Sequence, residues 1–335
     1  MTIRPLPVAL LALALSATAC STGGQATSSA FGGPSSAAPA EPRGVVSATE
    51  ARAILDQWDK ATKEARRQGG TDWSAADAGL AAQISTAESK LLTTIGESVD
   101  TPAKAIVKPR FAIPGKVAGE PWFMAEYNRK GTKNWHQGIF KKTPAGWRMV
   151  AMSVTPAKSR PPAAARDKNG LATVLAADDR TGLIASPQGI VQAHARLQNT
   201  FGENRGAGRL FLADSYARER ARLARTERKT VQANGEWTLT IRSEPAPEIY
   251  ALRTAAGGAL VWYGITQQNT MTARPGATSR LHFSDRNGAA LSHGERFKRK
   301  TVQKTAGIYL AVVPRSPGLV RVPTEWFTGI SITGS

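Results

Sequence analysis

The sequence predicts an α+β fold built from two successive halves, residues 45–156 and 171–335. Three observations carry this expectation. In each half, apolar residues first recur at helical spacing and then alternate with polar ones, the order of helices followed by antiparallel strands. Between the halves, residues 157–170 contain Lys158-Ser-Arg-Pro-Pro-Ala-Ala-Ala-Arg-Asp-Lys-Asn-Gly170, which reads as a linker. Each half also ends on an apolar strand carrying a tryptophan, Gly146-Trp147 to Val154 and Glu325-Trp326 to Ile332. That correspondence points to a diverged duplication, with two unrelated α+β domains as the alternative.

The chain opens on a leader. Arg4 supplies a positive charge, Val8 to Leu15 an apolar run, and Ala17-Thr18-Ala19 the small residues before a cleavage site. The run is far shorter than the roughly 20 residues needed to span a bilayer. Cys20 follows at once and is the only cysteine of the 335 residues. Ala17-Thr18-Ala19-Cys20 resembles the lipobox of bacterial lipoproteins, with Ala17 where that box usually has leucine. The resemblance implies that residues 1–19 are a signal peptide, that Cys20 is lipidated, and that the protein sits on the outer face of the cytoplasmic membrane. Ordinary secretion with cleavage after Ala19 fits the same small residues. With no second cysteine, an intrachain disulfide and a Cys-based metal site are both excluded. Residues 20–44 are rich in Ser, Gly, Ala and Pro and read as a flexible tether, with a reach of about 25 Å as a random coil.

In the first half, Ser47-Ala-Thr-Glu50 forms a capping box, and Ala51, Ile54, Leu55, Trp58, Ala61 and Ala65 share one helical face until Gly69-Gly70. Ser74 and Asp77 open a second helix with Leu80, Ile84, Ala87, Leu91 and Ile95 as its stripe. Strands are then expected at Val107–Ile113, Trp122–Arg129, Trp135–Lys142 and Trp147–Thr155, the last two joined by the turn Thr143-Pro-Ala-Gly146. In the second half, Ser186-Pro187 starts a helix with Ile190, Ala193, His194, Leu197 and Phe201 on one face, and Leu210–Lys229 forms another. Strands are expected at Trp237–Arg242, Glu248–Arg253, Ala259–Thr272, Arg280–Ser284, Thr301–Val313 and Trp326–Thr333, with residues 275–300 as a polar excursion.

The hairpin from Ile139-Phe140 through Gly146-Trp147-Arg148 to Val150 resembles the last hairpin of NTF2-like (cystatin-like) α+β rolls. The resemblance covers about residues 45–156. It implies helices packed on a curved antiparallel sheet, and with the duplication two such rolls in tandem. The whole arrangement also resembles lipoproteins of uncharacterised function from high-GC Gram-positive bacteria. NTF2-like rolls host isomerases, dehydratases and modules that only bind.

His194 on its apolar stripe is a candidate pocket base, but no carboxylate stands one turn away to orient it, and a satisfied core histidine is the stronger reading. Asp56, Asp59, Glu126 and Tyr127 are the corresponding candidates in the first half, but a solvated strand carboxylate is the stronger reading of Glu126. His282, Asp285, His293 and Glu295 follow no established metal-site spacing, so no metal and no cofactor are expected. Gly202-x-x-x-Gly206-x-Gly208 lacks the Gly-Lys-Ser/Thr of a phosphate loop, and there is no G-x-S-x-G elbow. Trp122, Trp135, Trp147, Trp262 and Trp326 on strands serve a core more often than a ligand platform.

The net charge is +19, from 44 Lys and Arg against 25 Asp and Glu. The leader directs that charge away from nucleic acid, toward anionic lipid headgroups or wall polyanions, with a merely solvated basic surface as the alternative. Two runs concentrate it: Arg129, Lys130, Lys133, Lys141 and Lys142, and then Arg296, Lys298, Arg299 and Lys300. The function expected from these features is binding or scaffolding at the membrane–wall interface, without catalysis. An NTF2-like enzyme or a lipid carrier with an apolar pocket is the alternative.

Overall fold

The computed structural model describes residues 2–3 and 44–335. Cys20 and the expected tether lie outside the described residues, and so does the leader except for strand β1 (Thr2–Ile3), which runs parallel to β8 (His282–Phe283). The described residues form six α-helices and two four-stranded antiparallel sheets.

Helix α1 (Ala48–Arg67) starts where Ser47 and Glu50 satisfy each other's backbone N–H, both bonds of the capping box being made. It buries Ala51, Leu55, Trp58 and Ala65. Helix α2 (Gly79–Thr94) starts later than Ser74 and Asp77 suggest and has no side-chain cap. Asp77 is instead buried beside it, accepting from Trp58 Nε1 at 3.1 Å and Ser85 Oγ at 2.6 Å. The buried face of α2 is also turned from the leucine stripe to Ala81, Ile84, Ser85 and Ser89. The small residues let α2 settle across β5, β9 and β10, whose residues are given below, and so bridge the two halves.

The first sheet runs β2 (Ile106–Ala112), β3 (Trp122–Arg129), β4 (Trp135–Thr143) and β5 (Gly146–Thr155) in spatial order. Strand β2 is irregular between Val107 and Arg110. Pro109 there has no N–H to give a ladder.

In the second half, α3 (Pro187–Asn199) is capped by Ser186 and α4 (Arg205–Arg209) by Asn204; α5 (Tyr216–Val231) follows. The long helix expected over Leu210–Lys229 therefore begins at Tyr216. The sheet order is β6 (Trp237–Arg253), β7 (Ala259–Ala273), β9 (Lys300–Val313) and β10 (Arg321–Gly334). The two strands expected before Ala259 are one strand, β6, with a register break between Pro245 and Ile249. Residues 275–300 carry β8 and α6 (Arg286–Leu291), and this segment is not a purely polar excursion. Its Leu281, Phe283 and Phe297 are buried with Trp237, Leu239, Met271 and Ile332.

Strand alternation sorts the side chains into four layers. On β3, Phe123 and Tyr127 face α1, where Phe123 stacks on Phe140 and Trp58 meets both Phe140 and Tyr127. Trp122 points the other way and meets Tyr250 of β6 edge-on at 5.3 Å. On β7, Val261, Tyr263 and Ile265 pack under α3 and α5, while Leu260 and Trp262 join the core of the first half. The order is therefore α1, first sheet, second sheet, and α3 with α5. One apolar core, including Trp122, Met124, Leu252, Trp262 and Leu310, is shared by the halves.

The expected linker is part of this structure. Ala165 N–H donates to Arg253 O at 2.7 Å, Ala255 N–H to Ala163 O at 2.9 Å, and Ala172 N–H to Ile113 O at 2.8 Å. Residues 163–175 thus lie along the free edge of β6 and tie it to the first half.

Candidate functional site

The helix-facing side of the second sheet carries a polar layer between two apolar ones. Alternation along β7 places Tyr263, Gln267 and Asn269 on this side, opposite Tyr309, Thr305 and Gln303 of β9. Helix α3 lowers His194 and Gln198, one turn apart, onto them. His194 is fully buried. Its Nδ1 lies 2.8 Å from the Tyr263 hydroxyl, and its Nε2 lies 3.1 Å from Gln198 Nε2. With the Gln198 amide donating, Nε2 is the acceptor and Nδ1 carries the proton. Burial, reinforced by the Arg220 guanidinium, pushes His194 down to about 3, so the ring is neutral. The Gln198 Oε1 is buried without a partner.

Two carboxylates flank this layer. Glu325 of β10 takes both arms of Arg220 of α5, at 2.7 and 2.5 Å, and that guanidinium lies 3.5 Å from the centre of the Phe327 ring. Burial raises the Glu325 carboxyl and Arg220 opposes the rise. Glu227 of α5 accepts from Asn269 Nδ2 at 3.3 Å, and burial pushes it up to about 7. Asn269 continues to Gln303 and Gln267, and Gln267 to Ser243. The arrangement fixes helix against sheet through directional bonds. Both nitrogens of His194 are engaged, so the imidazole itself presents no free base.

Glu126 lies on the opposite side of its strand from Tyr127, in the seam between the sheets. It is ion-paired to Arg160 and accepts from Gln137 Nε2 at 3.4 Å. Gln137 Oε1 accepts from Ser153 Oγ at 3.0 Å, and Ser153 Oγ from Trp262 Nε1 at 3.1 Å. The sequence reading of Glu126 as a solvated carboxylate is corrected: it is buried and joins the halves. Tyr127 is fully buried under α1 with its hydroxyl unpartnered, stacked on His136. Burial and Arg129 push His136 down to about 4. His194, Glu126 and Tyr127 therefore occupy three separate places. Asp56 is an exposed partner of Arg52, and Asp59 is buried against Arg129 and Lys63.

Asp285 is the cap of α6, accepting from Gly288 N at 3.0 Å. Among the described residues no group of three His, Cys, Asp or Glu side chains could hold a metal ion. Trp122 and Trp262 are core, Trp135 lies 3.9 Å beneath Arg160, Lys142 sits 5.9 Å over Trp147, and the Trp326 indole opposes the rise of the Glu88 carboxyl.

The first basic run does not form one face. Arg129 is buried in its pair with Asp59, and Lys141 is paired with Glu248. Lys130 and Lys133 lie in the β3–β4 turn, whereas Lys141 and Lys142 lie at the far end of β4, about 25 Å along the strand. This run therefore offers no single basic face. Arg296, Lys298, Arg299 and Lys300 are exposed where the chain enters β9, with the Lys298, Arg299 and Lys300 N–H groups all directed at Ser335 O.

The sequence reading missed Asp77, Glu88, Glu227 and the Arg220–Glu325 pair. Burial pushes Asp77 up to about 6 and Glu88 to about 7. The available signal was acids among small apolar residues, as in Ala75-Ala76-Asp77-Ala78.

The chain matches the model of a domain of unknown function, DUF8094, over residues 42–328. It belongs to that family. The DUF8094 match runs across both halves, in keeping with their common core. Comparison with curated proteins and with solved structures returned no match.

Proposed function

We propose that this DUF8094 member is a lipid-anchored, extracytoplasmic binding or scaffolding protein that acts at the membrane–wall interface without catalysis. The observation that carries the reading is the separation of His194, Glu126 and Tyr127. Each is buried and lies on a different packing surface, so no pair of them converges on a substrate. The excess of cations in the sequence supports an anionic partner.

The anchor rests on Ala17-Thr18-Ala19-Cys20. No helix among the described residues is long and apolar enough to cross a membrane. Two acyl chains suffice for stable anchoring where one is marginal. We further read the two halves as tandem NTF2-like rolls from a diverged duplication; the common succession of helices and a four-stranded meander supports this.

The test is the intact mass of protein extracted from membranes. It should exceed the 20–335 polypeptide by at least a diacylglyceryl group, and Cys20→Ala should release the protein from the membrane fraction. An unmodified mature mass, or a membrane-bound Cys20→Ala protein, would overturn the reading.

A further inference from the structure

Helix α5 presents two faces. Ala217, Ala221 and Ala224 are buried against the sheet and α3. Arg218, Arg222 and Arg225, at intervals of four and three, share the flank about 100° round the helix from those alanines. The short helix α4 returns Arg205 and Arg209 to the same place. These five arginines and Glu219 line a concavity of about 440 Å³ whose floor is Leu197 and Ala221.

The charge there is largely uncompensated. Arg222 is bound by both oxygens of Glu219. Arg205, Arg209, Arg218 and Arg225 have no carboxylate partner among the described residues. Two of the free guanidiniums are nevertheless held in place. Arg218 Nη1 donates to Gly208 O at 2.9 Å, and Arg225 Nε donates to Phe201 O at 2.9 Å. Each spends one donor on the backbone and keeps the rest of its fork.

Gly202 accommodates this seating. Its φ is +77°, and a Cβ there would stand 2.8 Å from Arg225 Nη2 and 3.3 Å from Ala221 Cβ. The glycine segment 202–208, which is no phosphate loop by its own sequence, thus forms the wall against which the arginines are set.

We propose that this concavity is a binding site for a phosphate ester. Guanidinium forks match the oxygens of a phosphoryl group two at a time. Four unbalanced cations suit a phosphate, which carries about −1.5 to −2 as a monoester, better than a single carboxylate. A volume of about 440 Å³ falls within the roughly 300–1,000 Å³ of small-molecule sites, and so takes the phosphate together with its substituent. The proposal rests on the reading of the protein as a binder of anionic partners and names the chemistry it binds. Phospholipid headgroups and phosphate-bearing wall polymers carry the phosphate as a diester, with one charge and two unesterified oxygens for a guanidinium fork.

The experiment is calorimetric titration of the full chain, solubilised in detergent, with glycerol 3-phosphate. Glycerol serves as the neutral control. Binding of the phosphate and not of glycerol is expected, with a loss of tenfold or more in Arg205→Ala/Arg209→Ala. Those side chains are exposed on α4 and carry no core contact, so the fold is retained. Arg110→Ala/Arg274→Ala removes the same charge at exposed positions elsewhere and should leave affinity within about twofold. No binding by the unaltered chain, or equal weakening in both double variants, would overturn the site. Phosphatidylglycerol added in the same detergent micelles should displace glycerol 3-phosphate if a lipid headgroup supplies the ester, and should not if a wall polymer does. Failure of this titration leaves the mass of the Cys20 form untouched, so the site and the anchor fall separately.

Discussion

Arg220 and Glu325 give the sharpest test of how the second half is held together. Their side chains are only 20% and 14% exposed, and they join α5 to the last strand. Removing one partner from an enclosed ion pair leaves the other charge without compensation, at a cost of about 3–5 kcal/mol. Because the pair retains some contact with water, Arg220→Met is expected at the lower end, about 3 kcal/mol. This includes the loss of the guanidinium from the Phe327 ring, a contact of about 0.5–2 kcal/mol. Replacing both partners, Arg220→Met with Glu325→Leu, removes the stranded charge and should lie within about 1 kcal/mol of the original protein. The assay is urea unfolding of the four proteins of the cycle, read as midpoint at constant slope. In Arg220→Met the folded-state pKa of Glu325 rises further above its ordinary value of 4.5. Protonation then favours the folded state, so the deficit should shrink as pH falls through the folded pKa toward that value. A cost below about 1 kcal/mol for Arg220→Met, or additivity of the single substitutions, would refute the account.

The remaining expectations concern titration and the joint between the halves. Glu227, at about 7 when folded against 4.5 ordinarily, contributes stability that is complete below about 4.5 and lost as pH rises through 7. Glu227→Gln removes that dependence, so relative to the parent it should gain on the order of 2 kcal/mol between pH 5 and 8 in urea unfolding; an unchanged difference would refute the burial of that carboxyl. Residues 44–160 expressed alone should aggregate or lack a dispersed amide spectrum, because Trp122 and Met124 would lose Tyr250, Leu252 and Trp262. In the intact protein, proteases should cut slowly across 163–175, whose backbone is hydrogen-bonded to β6 and Ile113; rapid cleavage into two resistant fragments would show an open linker instead.

Much of the local structure was legible because it depends on neighbours in the chain. The Ser47–Glu50 box, the Ser186-Pro187 start and the Thr143–Gly146 turn all appear where their residues place them. What escaped depends on residues far apart in sequence. Strand β3 reads Trp-Phe-Met-Ala-Glu-Tyr-Asn, and all seven are buried. An unbroken run of that kind signals cover on both faces, but not that the second cover is another sheet. Glu126 was misjudged for that reason, since solvent was the only neighbour the first half could offer it. The basic residues were misjudged by counting along the chain. Lys133 and Lys141 are near in sequence but far apart on an extended strand, whereas Arg205 and Arg222 line one hollow because a helix and a turn bring the chain back. Glu219 interrupts that second group in sequence, although Arg222 neutralises it in space.

The four-layer order sets a distance that bears on how an anchored molecule would work. The segment from Gly44 runs beside Ile113 and Pro114 at the end of the first sheet before it enters α1, while the arginine-lined concavity belongs to α3, α4 and α5, beyond the second sheet. At about 10 Å per layer, the second sheet and its helices set entrance and concavity about 20 Å apart. On a flexible tether the molecule would sweep that hollow through the space around its anchor rather than hold it to one side. Shortening residues 20–44 would then narrow the sweep without touching the arginines that do the gripping.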